Sequence, residues 1–112
     1  MPIVSDFYSG MCVTVPLFKG QLKKGSAEDI KSVFKSRYNG PVVTYTEDIN
    51  EGGFISANGT FSKDSMQITV AGNEERILLI ARYDNLGKGA SGAALECMNI
   101  MLGCDITTGL DL

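Results

Sequence analysis

The feature that most restricts the fold of this chain is a glycine-rich turn between two apolar segments. The run Ile77–Ala81 contains no polar residue and predicts a buried strand, and residues 93–102 predict a helix. Between them Gly87, Gly89 and Gly92 form the pattern G-x-G-x-x-G. Because a helix N-terminus presents unpaired N–H groups and a partial positive charge, a junction of this kind can hold an anion.

The same pattern is typical of dinucleotide-binding folds, but the sequence that follows does not support this interpretation. A dinucleotide-binding fold needs a second parallel strand after the helix, with an acidic residue roughly 20 positions beyond the glycines. Residues 104–112 contain turn-forming residues and no apolar run of strand length, although Asp105 and Asp111 lie at acceptable distances. The sequence therefore predicts a strand, a turn and a helix without a complete dinucleotide-binding fold.

The sequence before the turn predicts a helix and several strands. Residues 11–18 alternate in polarity, and Pro16 indicates an edge or bulged strand because proline cannot donate a ladder hydrogen bond. Ser26 followed by Asp29 has the spacing of a helix cap, and we expect this helix to end at Asn39-Gly40-Pro41. Further strands are predicted at 42–46, 54–57, 66–70 and 76–83, the last two joined as a hairpin.

The predicted order is β-α-β-β-β-β-α without an internal repeat. It favours a single α+β domain over residues 1–112, with a mostly antiparallel sheet and helices packed on one face. A sheet with one wet face would alternate along Ile77–Ala81, so both faces of this strand are expected to be covered, one of them by helices. The second face either meets another subunit or another domain, or is buried within this domain.

Composition excludes several classes of function. A net charge of -3 and a pI of 4.8 argue against a nucleic-acid or anionic-membrane surface, and no apolar run is long enough to span a bilayer. Three cysteines without histidine have no metal-site spacing, so no metal site is predicted. Reduced thiols in a cytoplasmic protein are expected. We interpret the lysines at positions 19, 23, 24, 31 and 35 as a solvated face.

Three segments resemble the C-terminal part of N-acetyl-gamma-glutamyl-phosphate reductase, an enzyme family of arginine biosynthesis. Residues Asp6–Leu17 are similar to the strand that enters the second domain of that family. Asp84–Gly92 resembles its Asp-Asn-Leu-x-Lys-Gly-Ala-x-Gly run, and Met98–Gly103 resembles the Met-Asn-Leu-Met type helix that follows. Thr108–Asp111 is similar to the closing Thr-Gly-Leu, whereas the middle of the chain, 25–73, matches in pattern only.

The resemblance implies the fold of the C-terminal domain of glyceraldehyde-3-phosphate-dehydrogenase-type enzymes. That reductase family converts an acyl phosphate to a semialdehyde through a thioester on cysteine, with NADPH as hydride donor. Its NADP-binding domain, its Gly-Cys-Tyr type motif and its histidine base have no counterpart in this sequence. We therefore assign no catalytic residue and expect this chain to be inactive alone. Its expected partners are the missing NADP-binding domain and further copies of the same chain in a homo-oligomer.

The resemblance also implies a cofactor contact at the glycine-rich turn. In related reductases an asparagine just before the C-terminal helix lies near the nicotinamide carboxamide of NADP, and the matching position here is Asn85. Lys88, Gly89 and Ala90 follow as neighbouring cofactor contacts. The alternative is that Asn85 caps the helix and the glycines permit close packing. A second functional hypothesis is a non-catalytic interaction module that keeps the fold and the oligomer surface of this family.

Overall fold

The computed structural model describes residues Met1–Leu112, which form one five-stranded sheet and two helices. A π-helical turn, Gly87–Ser91, leads directly into the second helix, and a 3-10 turn, Lys19–Gln21, follows the second strand. Neither helix is long and apolar enough to cross a membrane. The strands are β1 (Pro2–Ile3), β2 (Met11–Phe18), β3 (Val43–Tyr45), β4 (Met66–Gly72) and β5 (Arg76–Tyr83), and the helices are α1 (Ala27–Arg37) and α2 (Gly92–Leu102).

The sheet has the order β1-β2-β5-β4-β3. Only β3 and β4 pair in parallel, and every other neighbouring pair is antiparallel. The predicted α+β class with a mostly antiparallel sheet is therefore confirmed, with the addition that the sheet is mixed. The predicted hairpin is formed by β4 and β5, and Gly72, the last residue of β4 before the turn, has a φ of 100°. An L side chain rarely adopts this φ, which favours glycine here.

The two faces of the sheet are covered differently. Because successive residues of a strand point to opposite faces, Val70 and Ile77 share one face, which we call the helix face. Leu78 and Ile80 lie on the other, which we call the loop face. The helix face packs against α1, where Ala27, Val70 and Ile77 form the buried core, surrounded by Leu17, Leu22, Ile30, Phe34, Tyr45 and Leu79.

The start of α1 has the predicted cap. Ser26 Oγ accepts the backbone N–H of Asp29 at 3.2 Å, and Asp29 Oδ2 accepts the backbone N–H of Ser26 at 2.8 Å. This reciprocal pair satisfies two N–H groups that the helix itself leaves without partners. The cap predicted from the spacing of Ser26 and Asp29 is confirmed.

The loop face is partly covered by residues 46–61, which we call the covering loop. Arg82, only 6% exposed, donates to Gln67 Oε1 and reaches two groups of the covering loop. Its Nη1 lies 2.5 Å from Glu51 Oε1 and 3.1 Å from the carbonyl oxygen of Ser56. A buried guanidinium whose donors are paired with the loop in this way fixes the loop on the sheet.

The strand predicted at 54–57 is wrong, because this segment belongs to the covering loop. Gly52 and Gly53 have φ values of 65° and 97° and reverse the chain just before Phe54, whose single bridge is to Glu51. Conversely, the pattern missed β1, which pairs with Cys12 and Val13. From Val15 onward β2 is therefore an edge strand, as its proline predicted.

The apolar run 77–81 is covered by this chain only in part. Ile77 is fully buried under α1, and Ile80, at 4% exposure, is buried on the loop face. Leu78 lies on the same face as Ile80 but is 38% exposed. The expectation that both faces are covered is thus met at Ile77 and Ile80, whereas Leu78 has no complete cover within one chain.

Candidate functional site

Asp84 organises the glycine-rich turn at the end of β5. Its side chain is almost completely buried, at 2% exposure. Oδ1 accepts the backbone N–H groups of Leu86 at 2.8 Å and Gly87 at 3.0 Å. Oδ2 accepts the hydroxyl of Ser9 at 2.6 Å and the backbone N–H of Ser62 at 2.7 Å. One carboxylate therefore joins the segment before β2, the segment before β4 and the turn that starts α2.

These hydrogen bonds keep Asp84 ionised. Burial by itself raises the pKa of a carboxyl group, but the hydrogen bonds from Ser9, Gly87, Ser62 and Leu86 together lower the pKa of Asp84 below its ordinary value. A carboxylate that accepts several N–H and O–H groups is favoured in its charged form. The negative charge is therefore a permanent part of the turn at neutral pH.

The N–H groups of the glycine-rich turn are already used within the chain. Leu86 and Gly87 donate to the Asp84 carboxylate, and Gly89 N–H donates to the Asp84 carbonyl oxygen at 2.8 Å. The N–H of Lys88 donates to the carbonyl oxygen of Lys63 at 3.3 Å. The position that an external phosphate would need is thus filled by an internal carboxylate, in agreement with the rejection of a dinucleotide-binding fold.

Asn85 points back to the segment that enters β2. Its Oδ1 accepts the backbone N–H of Gly10 at 2.7 Å, and its Nδ2 makes no hydrogen bond within the chain. A side chain at Gly10 would collide with the covering loop, because a Cβ there would lie 2.6 Å from the carbonyl oxygen of Ala57. Asn85 does not cap the helix, which was one alternative; the N–H groups of Leu86 and Gly87 at the start of the turn are accepted by the Asp84 carboxylate instead.

The other three predicted cofactor contacts, Lys88, Gly89 and Ala90, lie within the π-helical turn. The ammonium group of Lys88 pairs with Glu96 on α2, and both side chains are largely buried. Gly89 and Ala90 are exposed. Of the four predicted site residues, Asn85 and Lys88 are thus held by internal contacts, whereas Gly89 and Ala90 are open to an approaching molecule.

Two of the glycines are required by close packing. A Cβ at Gly87 would lie 2.5 Å from the carbonyl oxygen of Lys63, and one at Gly92 would lie 2.2 Å from Asp64 Oδ1. Real Cβ atoms do not approach other heavy atoms this closely. The close-packing alternative is therefore confirmed for Gly87 and Gly92, which let the turn lie directly on the segment before β4.

A cleft of about 340 Å³ opens beside the turn. Tyr8 and Phe61 meet edge to face at its rim, with ring centroids 6.5 Å apart, and both side chains are exposed. The nearby lysine, Lys63, is paired with Asp111 at 2.7 Å, so the cleft is acidic overall. The residues that line it are Tyr8, Ser9, Phe61, Ser62, Asp64, Asp84, Leu86, Gly87, Ser91 and Asp111.

Most residues of this cleft were not predictable from the sequence. Its lining comes from four separate parts of the chain, and no local spacing connects them. One available signal was Asp84, a charged residue directly after the apolar strand β5, where an aspartate must find buried partners. The aromatic rim of Tyr8 and Phe61 had no comparable signal.

The C-terminal tail closes one side of the site. Asn99, 3% exposed, donates through Nδ2 to the carbonyl oxygens of Ile106 at 3.1 Å and Thr108 at 2.8 Å. Further along, the N–H of Asp111 donates to Asp64 Oδ2 at 3.0 Å, and the N–H of Asp64 donates to the Asp111 carbonyl oxygen at 2.6 Å. These hydrogen bonds hold the C-terminal tail against α2 and against the segment before β4.

Helix α2 leaves most of its apolar side chains in solvent. The apolar residues Leu95, Met98, Met101 and Leu102 at helical spacing do not form a core within this chain, because Met101 is 86% exposed and Leu102 is 68% exposed. We call the exposed residues Met98, Ile100, Met101 and Leu102 the α2 patch. An apolar surface of this kind marks an interaction site more often than a free surface.

The buried Cys12 is not an activated nucleophile. Burial raises the pKa of Cys12 above its ordinary value, although the nearby Arg82 opposes this effect. Cys97, within α2, and Cys104, beyond its end, are both exposed. No group of three cysteine, aspartate or glutamate side chains is arranged to hold a metal ion.

Comparison with known proteins identifies homologues of nearly the whole chain. It is 38% identical to N-acetyl-gamma-glutamyl-phosphate reductase 2 of Nostoc sp., over 98% of this chain and 37% of that protein. It is 37% identical to N-acetyl-gamma-glutamyl-phosphate reductase of Trichormus variabilis over the same shares, and 38% identical to that of Brucella ovis over 91% and 35%. No family model matches the sequence.

These relatives confirm the resemblance inferred from the motifs. The chain spans a little over a third of the length of the curated relatives it matches. What is shared therefore includes the covering loop, α1 and the glycine-rich turn, since the match extends over 98% of this chain.

Proposed function

We propose, from the premise that this chain is homologous to part of N-acetyl-gamma-glutamyl-phosphate reductase, that it acts as the C-terminal domain of an NADP-dependent reductase of an acyl phosphate. In that role it contributes one wall of the active cleft and supplies neither nucleophile nor base. The observation that carries the proposal is the Asn85 amide, which is oriented by Gly10 and keeps its Nδ2 donors available.

The residues at the turn fit the nicotinamide end of the cofactor. Because Asn85 Oδ1 is occupied by the Gly10 N–H, the side chain faces a ligand as a donor. The carboxamide oxygen of nicotinamide is a suitable acceptor, and bound NADPH would supply hydride. Exposed Gly89 and Ala90 leave room for the ring to approach, while the Lys88–Glu96 pair holds the turn against α2.

The phosphate groups of the cofactor belong elsewhere in this proposal. The N–H groups at the start of the turn are used by Asp84, and Asp64 and Asp111 add negative charge to the cleft. The negatively charged carboxylates of the cleft would repel a phosphate group, which is also negatively charged. We therefore assign the phosphates to the NADP-binding domain, which the longer homologues have length to contain.

We propose that the α2 patch packs against that NADP-binding domain. No charged residue occurs from Cys97 to Cys104, so this part of the helix offers a partner only apolar and weakly polar groups. Such an uncharged helix face leaves apolar side chains exposed to water unless a partner covers them. The assembled enzyme would be a cytoplasmic homo-oligomer of arginine biosynthesis.

A second candidate is a non-catalytic interaction module derived from the same family. The exposed α2 patch and the unactivated Cys12 favour it, because both are compatible with a domain that only binds. The two candidates differ in what Asn85 does. Only the reductase domain needs a donor at this position.

A chimeric enzyme tests the assignment. In the Nostoc reductase, this chain replaces the homologous third, and NADPH-dependent reduction of N-acetyl-gamma-glutamyl phosphate is measured. Asn85→Ala is expected to lower kcat/KM for NADPH about 2- to 13-fold, which is the equivalent of one lost neutral hydrogen bond of about 0.5–1.5 kcal/mol. Asn39→Ala, at an exposed asparagine just after the end of α1, serves as the matched control.

The chain alone is expected to show no turnover, because catalysis needs an activated nucleophile. If Asn85→Ala and Asn39→Ala behave alike in the active chimera, Asn85 does not contact the cofactor. An active isolated chain that loses its activity on substitution of Cys12, Cys97 or Cys104 would contradict the assignment of catalysis to the rest of the enzyme.

A further inference from the structure

Two asparagines of this chain are followed directly by glycine, in the pairs Asn39-Gly40 and Asn58-Gly59, and both asparagines are exposed. In such a pair the backbone nitrogen of the glycine can attack the side-chain amide of the asparagine, because glycine has no Cβ to obstruct the approach. The fold surrounds the two pairs differently, and the difference concerns both the attacked carbonyl group and the attacking nitrogen.

The side-chain carbonyl of Asn58 is already polarised. Its Oδ1 accepts a hydrogen bond from the hydroxyl of Ser56. A donor placed on a carbonyl oxygen stabilises the negative charge that develops there when a nucleophile adds to the carbon. Ser56 therefore activates the Asn58 amide for attack by the nitrogen of the next residue.

The nitrogen of Gly59 lies beside the buried positive charge of Arg82. A Cβ at Gly59 would lie 2.3 Å from Nη1 and 2.6 Å from Cζ of Arg82, so the guanidinium packs directly on this glycine. The N–H of Gly59 and Nη1 of Arg82 also donate to the same carbonyl oxygen, that of Ser56, at 3.3 Å and 3.1 Å. A neighbouring cation favours loss of the amide proton, because it stabilises the nitrogen anion that results.

The Asn39-Gly40 pair lacks both of these groups. No atom lies within 4 Å of the position of a Cβ at Gly40, so no cation packs against this glycine. The backbone of Asn39 is bridged to Thr44, whose hydroxyl donates to the Gly40 carbonyl oxygen at 2.7 Å rather than to the asparagine amide. Asn39 is therefore an internal control for Asn58, with the same sequence and different surroundings.

We infer that Asn58 is a site of spontaneous deamidation, promoted by Ser56 and Arg82. The Gly59 nitrogen loses its proton and forms a bond to Asn58 Cγ, the bond from Cγ to Nδ2 breaks, and ammonia leaves with the proton. Water then opens the succinimide ring at either of its carbonyl groups and gives aspartate or isoaspartate. No oxidant or cofactor takes part, and the covering loop gains a negative charge.

The modification acts on the segment that holds Asn85. A Cβ at Gly10 would lie 2.6 Å from the Ala57 carbonyl oxygen and 2.7 Å from Asn58 Cα, so the two backbones are in direct contact. Isoaspartate lengthens the backbone after Asn58 by one methylene group and cannot keep both this contact and the geometry of the turn. Because the Gly10 N–H orients the Asn85 amide, deamidation lowers cofactor use, a step that rests on the function proposed above.

Incubation of the 112-residue chain at mildly alkaline pH, followed by peptide mass spectrometry, tests the inference. Deamidation appears as a mass increase of about 1 Da, because a hydroxyl replaces an amino group. We expect Asn58 to react at least about 10-fold faster than Asn39 in the same sample, because the hydroxyl and the guanidinium each lower the barrier. An intact Asn58, or an Asn39 that reacts as fast, would overturn the inference.

Ser56→Ala separates the effect of the surroundings from that of the sequence. Removal of the hydroxyl should slow the reaction of Asn58 about 2- to 13-fold, as expected for one neutral hydrogen bond, and should leave the rate at Asn39 unchanged. An equal or faster reaction at Asn58 would mean that the Asn-Gly sequence alone sets the rate, which would refute the role of Ser56.

Hydrogen exchange measures the structural consequence without any enzyme assay. In the fraction that carries isoaspartate at position 58, the Gly10 amide should exchange at least about 10-fold faster, whereas the Ile30 amide of α1 keeps its protection. Unchanged exchange at Gly10 would contradict the link from Asn58 to Asn85. These measurements are independent of the cofactor kinetics of Asn85→Ala, so a failure of one proposal is distinguishable from a failure of the other.

Discussion

The two helices of this chain are held in opposite ways. Helix α1 begins with a reciprocal cap between Ser26 and Asp29 and buries Ala27, with Ile30 and Phe34 beside it, on the helix face. Helix α2 has no side-chain cap of its own and starts from the π-helical turn that Asp84 holds from outside the helix. Its apolar α2 patch remains in solvent.

This difference shows that the α1 end of the domain is fully packed within one chain, whereas the α2 end is not. The position of α1 follows from neighbouring residues and from the core, so it needs no further partner. The position of α2 depends on contacts between segments distant in sequence, and the helix still exposes apolar side chains. The α2 end therefore resembles half of an interface, and loss of its distant contacts should matter more than loss of a local cap.

The largest expected effect comes from Asp84→Ala. The substitution removes the acceptor of four hydrogen bonds and leaves the buried Ser9 hydroxyl without a partner. We expect the free energy of unfolding, measured by urea denaturation, to fall by about 3–5 kcal/mol. Asp6→Ala, at an exposed aspartate, is the control and should change stability by less than about 0.5 kcal/mol.

Protonation of Asp84 should lower the stability of the folded chain at acid pH. Because the pKa of Asp84 is lowered in the folded chain, ionised Asp84 contributes stability above the unfolded pKa of about 4. That stability is lost as the pH falls from about 4 through the folded pKa. Hydrogen exchange should show protection lost first in α2 and later in α1. Equal loss of protection in both helices would remove the contrast between them.

A smaller effect is expected from Gly92→Ala. In an open helix alanine is favoured over glycine by about 1 kcal/mol. Here a Cβ would lie 2.2 Å from Asp64 Oδ1, so Asp64 must move and loses its hydrogen bond from Asp111. We expect a net loss of about 1–2 kcal/mol in the free energy of unfolding.

Gly20→Ala is the control for that substitution, because no atom lies within 4 Å of a Cβ at Gly20. It should leave stability unchanged or slightly raised. A stabilising Gly92→Ala would mean that Asp64 moves at no cost, and α2 would then depend less on the segment before β4 than the geometry indicates.

The same contrast explains what could be predicted from the sequence. The cap of α1 and the β4–β5 hairpin were predictable because their signals lie within a few residues. Strand β1 was not, because its two residues become a strand only by pairing with β2. The segment 54–57 has an apolar composition, but the buried Arg82 holds the covering loop in a different conformation.

The candidate site was predictable only as a motif. The resemblance singled out Asn85, and its position in the sequence indicated either a cap or a cofactor contact. It could not indicate that Gly10, 75 residues away, holds the amide, or that Asp84 accepts the N–H groups of Leu86 and Gly87. Such contacts depend on where β2 and β5 lie in the folded sheet, which no local pattern contains.

The smallest expected effect, from Ser26→Ala, concerns α1. The substitution removes the Oγ that accepts the Asp29 N–H, and loss of such a cap usually costs about 1 kcal/mol in the free energy of unfolding. The effect stays small because α1 is also held by the core around Ile77. Ser36→Ala, at an exposed serine within the same helix, should change stability by less than about 0.5 kcal/mol. If Ser26→Ala cost as much as Asp84→Ala under the same urea denaturation, α1 would depend on its cap rather than on its core, and the two helices would not differ as proposed.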